Sequence, residues 1–243
     1  MSINFKFTNN KKEQFVQNIF TKVASKYDLM NNVMSFGLHK KWKNIFVDQI
    51  DSYKGQYLLD LAGGTGDIAK NFIGRGGAKA VVYDLNQDML NNGKNLIYNQ
   101  LNKNYINNIK WLKGSAENIS FSDNTFDFCT ISFGLRNVTS VVNVLQESLR
   151  VLKPGGKFIC LEFSKIDNKM IDKIYHFYSF KVIPTLGLFI AQSPDSYQYL
   201  VESIQQFYDA EQLETIMKDI GYYYVKFKML SFGIVAIHSG YKL

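Results

Sequence analysis

The 243 residues, 46% hydrophobic and 20% charged with a formal net charge of +7, can bury one sizeable core, so we expect a single domain. Three histidines and two cysteines stand singly, which excludes zinc-site spacing. The start, Met1-Ser2-Ile3-Asn4, lacks the apolar run of a secretory signal, and the longest apolar patch, Val182 to Ala191, carries Pro184 and Gly187 and falls short of the roughly 20 residues a spanning helix needs.

The positive charge is compatible with nucleic acid, an anionic membrane surface or solubility alone, so composition does not choose a partner. Lysine supplies nearly all of it; the arginines are Arg75, Arg136 and Arg150. Cys129 and Cys160 sit in apolar, strand-like runs and read as buried free thiols in a reducing compartment.

Between Lys11 and Tyr27, the residues Phe15, Ile19, Val23 and Tyr27 recur at helical spacing and predict an apolar helix face. A polar connector, Asp28 to Gly37, leads to a second helix from about His39 to Ile50 with Trp42, Ile45 and Phe46 inward. These two helices precede the first strand and either cover a ligand or pad the sheet.

The run Leu58-Leu59-Asp60-Leu61-Ala62-Gly63-Gly64-Thr65-Gly66-Asp67 reads as strand, tight turn and helix. Gly63, Gly64 and Gly66 let a ligand lie against bare main chain, and the helix from Asp67 aims its free N–H groups at the same spot. Gly64 to Ala69 also satisfies a loose dinucleotide pattern. Asp60 separates the two ligands, because it would repel a pyrophosphate and attract the amino and sulfonium groups of S-adenosylmethionine. Charge therefore favours a methyl donor over NAD.

A glycine-rich stop, Gly74 to Gly77, leads to a second strand, Ala80 to Tyr83, with Asp84 at its end. Asp84 lies roughly 20 residues past the glycines, where a carboxylate can accept both hydroxyls of a ribose. A helix from Asp88 to Tyr98 and a strand near Ile109 to Leu112 follow. The loop Gly114-Ser115-Ala116-Glu117 can set backbone and small side chains beside an adenine ring. The fourth strand, Thr125 to Phe133, is nearly all apolar and so buried on both faces. It ends in Ser132-Phe133-Gly134-Leu135-Arg136-Asn137, at the same rim as Asp60 and Asp84. A helix from Val141 to Leu152, a Lys153-Pro154-Gly155-Gly156 turn and a fifth strand, Lys157 to Phe163, complete the alternation expected of a doubly wound parallel sheet. An aromatic-rich excursion, Met170 to Tyr208, precedes a helix over Ala210 to Ile220 and a strand pair, Tyr222 to Met229 with Ile234 to His238.

These strings together resemble the UbiE-type C-methyltransferases of ubiquinone and menaquinone biosynthesis. The match runs from Phe5 to Leu243 through Ala24 to Asp28, Met34 to Gly37 with His39, Leu59 to Asp67, Ser132 to Val138, Arg150 to Gly156, Glu162 to Ser164, Asp195 to Tyr197, and Val235-Ala236 with Gly240 to Lys242. The resemblance implies an α/β fold, a doubly wound, mostly parallel seven-stranded sheet with an N-terminal helical lid and a C-terminal antiparallel strand pair. It implies one domain, with the lid over residues 1–52, a donor-binding core over 53–164, an aromatic-rich substrate insertion over 165–209 and a closing helix and strand pair over 210–243. Family donor contacts carry over to Thr65, Asp84, Ser115, Ala116 and Ser132. The family usually has Asn or Asp where Ser115 stands, and often Gly where Lys6 stands.

The implied activity is methylation of a ring carbon of a polyprenylated benzoquinol or naphthoquinol, with S-adenosylmethionine as donor, S-adenosylhomocysteine as product and no metal. An ionising phenol pushes electron density to the adjacent carbon, and holding the reactants aligned could supply roughly 7–11 kcal/mol. Candidates for polarising the phenol are Tyr27, Asp28, His39 and Arg136. Histidine has the best intrinsic pKa for a base; arginine would act electrostatically on the phenolate. We favour Arg136 with Asn137, supported by Tyr27.

The aromatic excursion is a candidate wall for the lipid tail, and positive charge suits anionic lipid. The expected setting is the cytoplasm, with peripheral contact at the inner face of the cytoplasmic membrane, and a homodimer or quinone-synthesis complex as the assembly. The alternatives are another small-molecule methyltransferase, or an NAD-dependent oxidoreductase, which lacks a hydride-site pattern here. A nucleic-acid partner is not expected: the fourth strand ends in Ser132-Phe133-Gly134 rather than an acid or Asn followed by Pro-Pro, and the lysines form no stripe.

Overall fold

In the computed structural model, which describes residues 9–23, 31–32, 35, 37–50, 55–100, 106–166 and 194–243, strands β1 (Tyr57–Leu61), β2 (Lys79–Asp84), β3 (Ile109–Lys113), β4 (Phe126–Ser132), β5 (Leu152–Phe163), β6 (Tyr223–Leu230) and β7 (Val235–Tyr241) form one sheet in the order β3-β2-β1-β4-β5-β7-β6. β1 to β5 run parallel, and β7 lies antiparallel to both β5 and β6. This is the doubly wound sheet expected, with the closing antiparallel pair.

Side-chain alternation along β1 explains why both faces are covered. Leu58 points into one core with Trp42, Phe46, Phe72, Ala80 and Ile159, while Leu59 and Leu61 point into the other with Val144, Leu145, Phe158, Leu213 and Met217. The first core is closed by helices α2 (Leu38–Val47), α3 (Asp67–Gly74) and α4 (Gln87–Gln100), the second by α5 (Val141–Val151) and, further along the chain, by the helix Ala210–Ile220. Each fully buried Leu or Phe contributes about 1.5–3 kcal/mol. Cys129 and Cys160 are both buried and free, and burial pushes the Cys129 thiol up to about 12.

Helix ends follow local chemistry. Ser140 accepts the Asn143 N–H at the start of α5. Asp209 and Gln212 close a reciprocal capping box at Ala210–Ile220, which ends on Gly221 at φ 110°. The fifth strand differs from the sequence expectation by starting at Leu152 rather than Lys157. β4 pairs Phe126 with Leu152 and then Phe128 with Lys157, so 153–156 bulge out of that ladder. Pro154 has no N–H to give the ladder, and Gly155 takes φ 78°, so the turn is absorbed as a bulge inside one strand. The aromatic excursion also contains a helix that spacing did not predict, α6 (Pro194–Gln206), leaving Ala210–Ile220 as α7. Residues 170–193 of that excursion lie outside the described residues, as do Tyr27 and Asp28.

Helix α1 (Asn9–Val23) lies over the carboxyl ends of the strands. Lys12 Nζ donates to Val138 O at 2.6 Å. Asn86, just past β2, donates to Gln17 O at 3.1 Å and Thr21 Oγ1 at 2.9 Å while its own Oδ1 accepts the Met89 N–H at 3.0 Å. One side chain thus caps α4 and ties α1 to the sheet. Asn86→Ala should cost about 1–2 kcal/mol through the lost cap and speed amide exchange throughout α1 before the sheet opens; unchanged exchange in α1 would show that Asn86 does not hold it.

Candidate active site

The strand order reverses between β1 and β4, where connections leave in opposite directions and open a crevice at the carboxyl edge. A cleft of about 830 Å³, counting its open mouth, fills that crevice. Its walls are Ala62 and Gly64 after β1, Asp84 to Asn86 after β2, Gly114 to Glu117 after β3 and Ser132 to Gly134 after β4, with Glu13, Val16, Gln17 and Phe20 of α1 as roof. The size suits a small-molecule ligand.

Backbone strain gathers at its floor. Ala62 and Phe133, at the tips of neighbouring strands, hold φ of 47° and 57°, a region that disfavours residues with a Cβ and costs on the order of 1–3 kcal/mol each. Within the turn, Gly63 has no room for a side chain: a Cβ there would come 2.8 Å from Val82 Cγ1 and 2.9 Å from Asp60 Oδ2. Gly66, at φ 76°, caps α3 against Trp111.

Of the sequence-predicted donor residues, Gly64, Asp84, Ser115, Ala116 and Ser132 line this cleft together. Asp84 accepts the Gly64 N–H at 2.9 Å and the Asn86 N–H at 2.8 Å, so its carboxylate shapes the glycine turn; burial raises its pKa against those bonds. The Ser132 hydroxyl is buried with no partner. Ser115 Oγ accepts the Glu117 N–H at 3.2 Å. Asp60, Gly63, Thr65 and Gly66 stand behind the wall rather than on it. Thr65 packs against Gly93 of α4. Asp60 is 1% exposed and accepts the Thr130 hydroxyl at 2.9 Å, leaving Oδ2 without a partner; burial pushes its carboxyl up to about 7, against the Thr130 bond and the charge of Lys43.

A second cavity, of about 670 Å³ with its mouth, adjoins the first and shares Phe20, Phe133 and Asn137 with it. Aromatic rings dominate its wall: Phe133 lies 5.0 Å from Phe163 and 6.2 Å from Trp42 between centroids. Arg136, on the short 3₁₀ turn Leu135–Asn137, reaches Glu162 at 2.8 Å and Phe133 O at 2.6 Å, with its guanidinium over the Phe163 ring. Both charges are buried, their side chains 7% and 1% exposed, and Arg136 Nε finds no partner. Asn137 donates to Phe133 O at 3.3 Å and accepts the Tyr199 hydroxyl at 3.2 Å. His39, also on this wall, is buried, and burial together with Lys43 pushes its pKa down to about 4, so near neutrality it is an uncharged, weak base. Lys43 in turn is paired with Asp67 at 2.6 Å.

Two residues of this site lay in strings that carried the resemblance, Tyr199 also in the aromatic excursion, but sequence reasoning gave neither its role here. Glu162 holds Arg136 through side chain and backbone N–H, and Tyr199, on α6, holds Asn137. The signal for Glu162 was a lone acid in the apolar run Phe158 to Phe163. Among the described residues, no His, Cys, Asp and Glu side chains gather as metal ligands.

A sheet of this topology, with a strained glycine turn after β1 and an acid after β2, defines the class I methyltransferase fold. A S-adenosylmethionine-dependent methyltransferase of Thermotoga maritima shares it at a TM-score of 0.62 and 19% identity, over 94% of this chain and 100% of that one. The profile of the ubiE/COQ5 methyltransferase family matches residues 8–242, and the chain belongs to that family. It is 43% identical to the mitochondrial 2-methoxy-6-polyprenyl-1,4-benzoquinol methylase of Dictyostelium discoideum, over 98% of this chain and 85% of that protein. It is 47% identical to the ubiquinone/menaquinone biosynthesis C-methyltransferase UbiE of Dinoroseobacter shibae, over 96% and 92%.

Proposed function

We propose that this enzyme transfers a methyl group from S-adenosylmethionine to a ring carbon of a polyprenylated quinol, a benzoquinol, a naphthoquinol or both, as the names of its relatives state for them. The observation that carries this proposal is the meeting of two unlike cavities, one glycine-floored with Asp84 on its wall, one aromatic, at Phe20, Phe133 and Asn137. The residues present fit the donor. Asp84 faces the cleft for a ribose, Ser115 and Ala116 offer a small-residue wall for a purine, and Ser132 has a buried hydroxyl awaiting a partner. Asp60, with an unpartnered Oδ2 behind Gly63, places negative potential under a cationic ligand.

When bound, the donor supplies an electrophilic methyl on cationic sulfur. The chain's own residues then have three tasks. Phe133, Phe163 and Trp42 hold the ring by its faces and exclude water. Arg136, aimed by Glu162, offers Nε and positive charge to the ring oxygen as it ionises, which raises electron density on the adjacent carbon. Asn137, held by Tyr199, positions the same oxygen at the junction of the cavities. Tyr27 belongs to this set by resemblance. Residues 1–52 act as the lid and 165–209 as the substrate insertion of a single domain. The protein works in the cytoplasm, peripherally on the inner face of the membrane, as a homodimer or within a quinone-synthesis complex; no helix among the described residues is long and apolar enough to cross a membrane.

Asp60 gives this proposal a pH signature. A carboxyl raised to about 7 is largely protonated in the empty site at pH 6, whereas a cation stabilises the carboxylate. Donor affinity should therefore rise from pH 5 to 8 and level off, with proton uptake by buffer on binding; calorimetry in buffers of different ionisation heat measures it, and pH-independent affinity would remove Asp60 from the cation site. The linked stability runs the other way. The native, empty protein holds this proton up to about pH 7 while the unfolded chain loses it near 3.8, so the contribution is fully present below pH 4 and lost as pH rises through 7.

The proposal itself is tested by incubation with methyl-deuterated donor and short-chain benzoquinol and naphthoquinol, followed by mass and NMR analysis. Label on a ring carbon supports it; label on oxygen, or none, overturns it.

A further inference from the structure

His39 carries more information than its place on the cavity wall. Ser35 Oγ lies 2.6 Å from Asn31 O and 2.8 Å from His39 Nδ1, and it also accepts the His39 backbone N–H at 3.2 Å. A hydroxyl has one proton. The Asn31 carbonyl has none to give, so the Ser35 proton points at it. The contact with Nδ1 then needs the imidazole to donate. That fixes the tautomer: Nδ1 carries hydrogen and Nε2 keeps its lone pair, with no partner among the described residues. Burial and the charge of Lys43, with a smaller push from Lys40, keep the ring neutral against the pull of Asp67.

The cavity therefore carries polar groups of different character on its two sides. From the β4 side come donors, Arg136 foremost; from α2 come an acceptor, His39, and the Lys43 ammonium, which Asp67 holds at 2.6 Å. A 1,4-dihydroxy ring, once one oxygen is ionising beside Arg136, still has a second hydroxyl with a proton to give. The oxidised, dicarbonyl form of the same ring has only lone pairs there.

We propose that His39 Nε2 accepts a hydrogen bond from the second hydroxyl of the acceptor ring and so selects the reduced ring over its oxidised form. This rests on the methyl-transfer proposal and adds to it a residue that sets redox-form specificity. A quinone carbonyl would face the imidazole lone pair, leaving both unpaired in a buried site. Sites built to bond a hydroxyl reject analogues without it strongly. The selection has a chemical purpose, because only the reduced ring has the electron density to accept a methyl cation equivalent, and an oxidised ring in the cavity would block turnover.

The test is anaerobic calorimetry on the full chain, with S-adenosylhomocysteine present to prevent turnover, using a short-chain prenyl-1,4-naphthoquinol and the matching quinone. Wild type should bind the quinol about 10- to 100-fold more tightly. His39→Leu should weaken quinol binding by that factor and leave quinone binding little changed, so the preference collapses. Ser35→Ala, which frees the tautomer without touching the imidazole, should also reduce the preference. Retained affinity for S-adenosylhomocysteine checks that each variant is folded. A preference that persists in both variants, or wild type binding both forms equally, overturns the role of His39 while methyl transfer stands. Failure of wild type to bind either ring overturns both proposals.

Discussion

Arg136→Ala should lower the methylation rate by roughly 10²–10³, the usual loss when a buried group that stabilises developing charge is removed, while donor affinity stays near wild type. Arg136 lines the aromatic cavity and not the donor cleft, which is why the two effects separate. The same change should also destabilise the fold. Glu162 is buried and its charge is met by Arg136 at 2.8 Å, so deleting the arginine strands a carboxylate, at a cost of about 3–5 kcal/mol. The double variant Arg136→Met with Glu162→Gln resolves the two contributions. It restores apolar contact with Phe163, removes the stranded charge and leaves an amide oxygen for the Phe163 N–H, while its NH₂ faces the N–H of position 136, so most of the stability should return and activity should not. Urea midpoints and single-turnover rates on the three proteins report this. Recovery of activity along with stability would mean that Arg136 is structural only.

Asp84→Ala should raise the dissociation constant of the donor by about 10²- to 10⁴·⁵-fold, from two lost bonds to a charged group at about 1.5–3 kcal/mol each. Part of that loss is local, because Asp84 also accepts the Gly64 and Asn86 N–H groups and so shapes the turn the donor lies on. Asn is a poor replacement for the same reason. Its carbonyl could serve Asn86, but its NH₂ would then face the Gly64 N–H, donor against donor. Calorimetry checks both variants, and an affinity within a few fold of wild type would move the ribose away from Asp84.

The central sheet was legible because its signals are local. Leu58 to Asp67 contains its own strand, turn and helix start, and the glycines that the turn requires are printed in order. Asp84, Ser115 and Ser132 were legible too, since each ends or follows a strand and the fold rule sends those ends to one edge. What was not legible depends on chain segments far apart. Arg136 meets Glu162 across 26 positions and Asn137 meets Tyr199 across 62, and no periodicity reports such a pairing. Environment was hidden as well. From sequence, His39 was a base of ordinary strength; burial and Lys43 make it a weak one. Asp60 was expected against the ligand, and it stands instead behind Gly63, off the cleft wall. The bulge at 153–156 escaped because Pro154 and Gly155 signal a turn equally well inside a strand and before one.

The account rests on the crevice between β1 and β4 holding a sulfonium ligand rather than a dinucleotide. Titration of the purified full chain by calorimetry, with S-adenosylmethionine in one series and NAD in another, measures this without any acceptor ring. The account predicts saturable binding of S-adenosylmethionine at one site per chain and no measurable heat with NAD. Folded protein that ignores S-adenosylmethionine, or that binds NAD in its place, would contradict it.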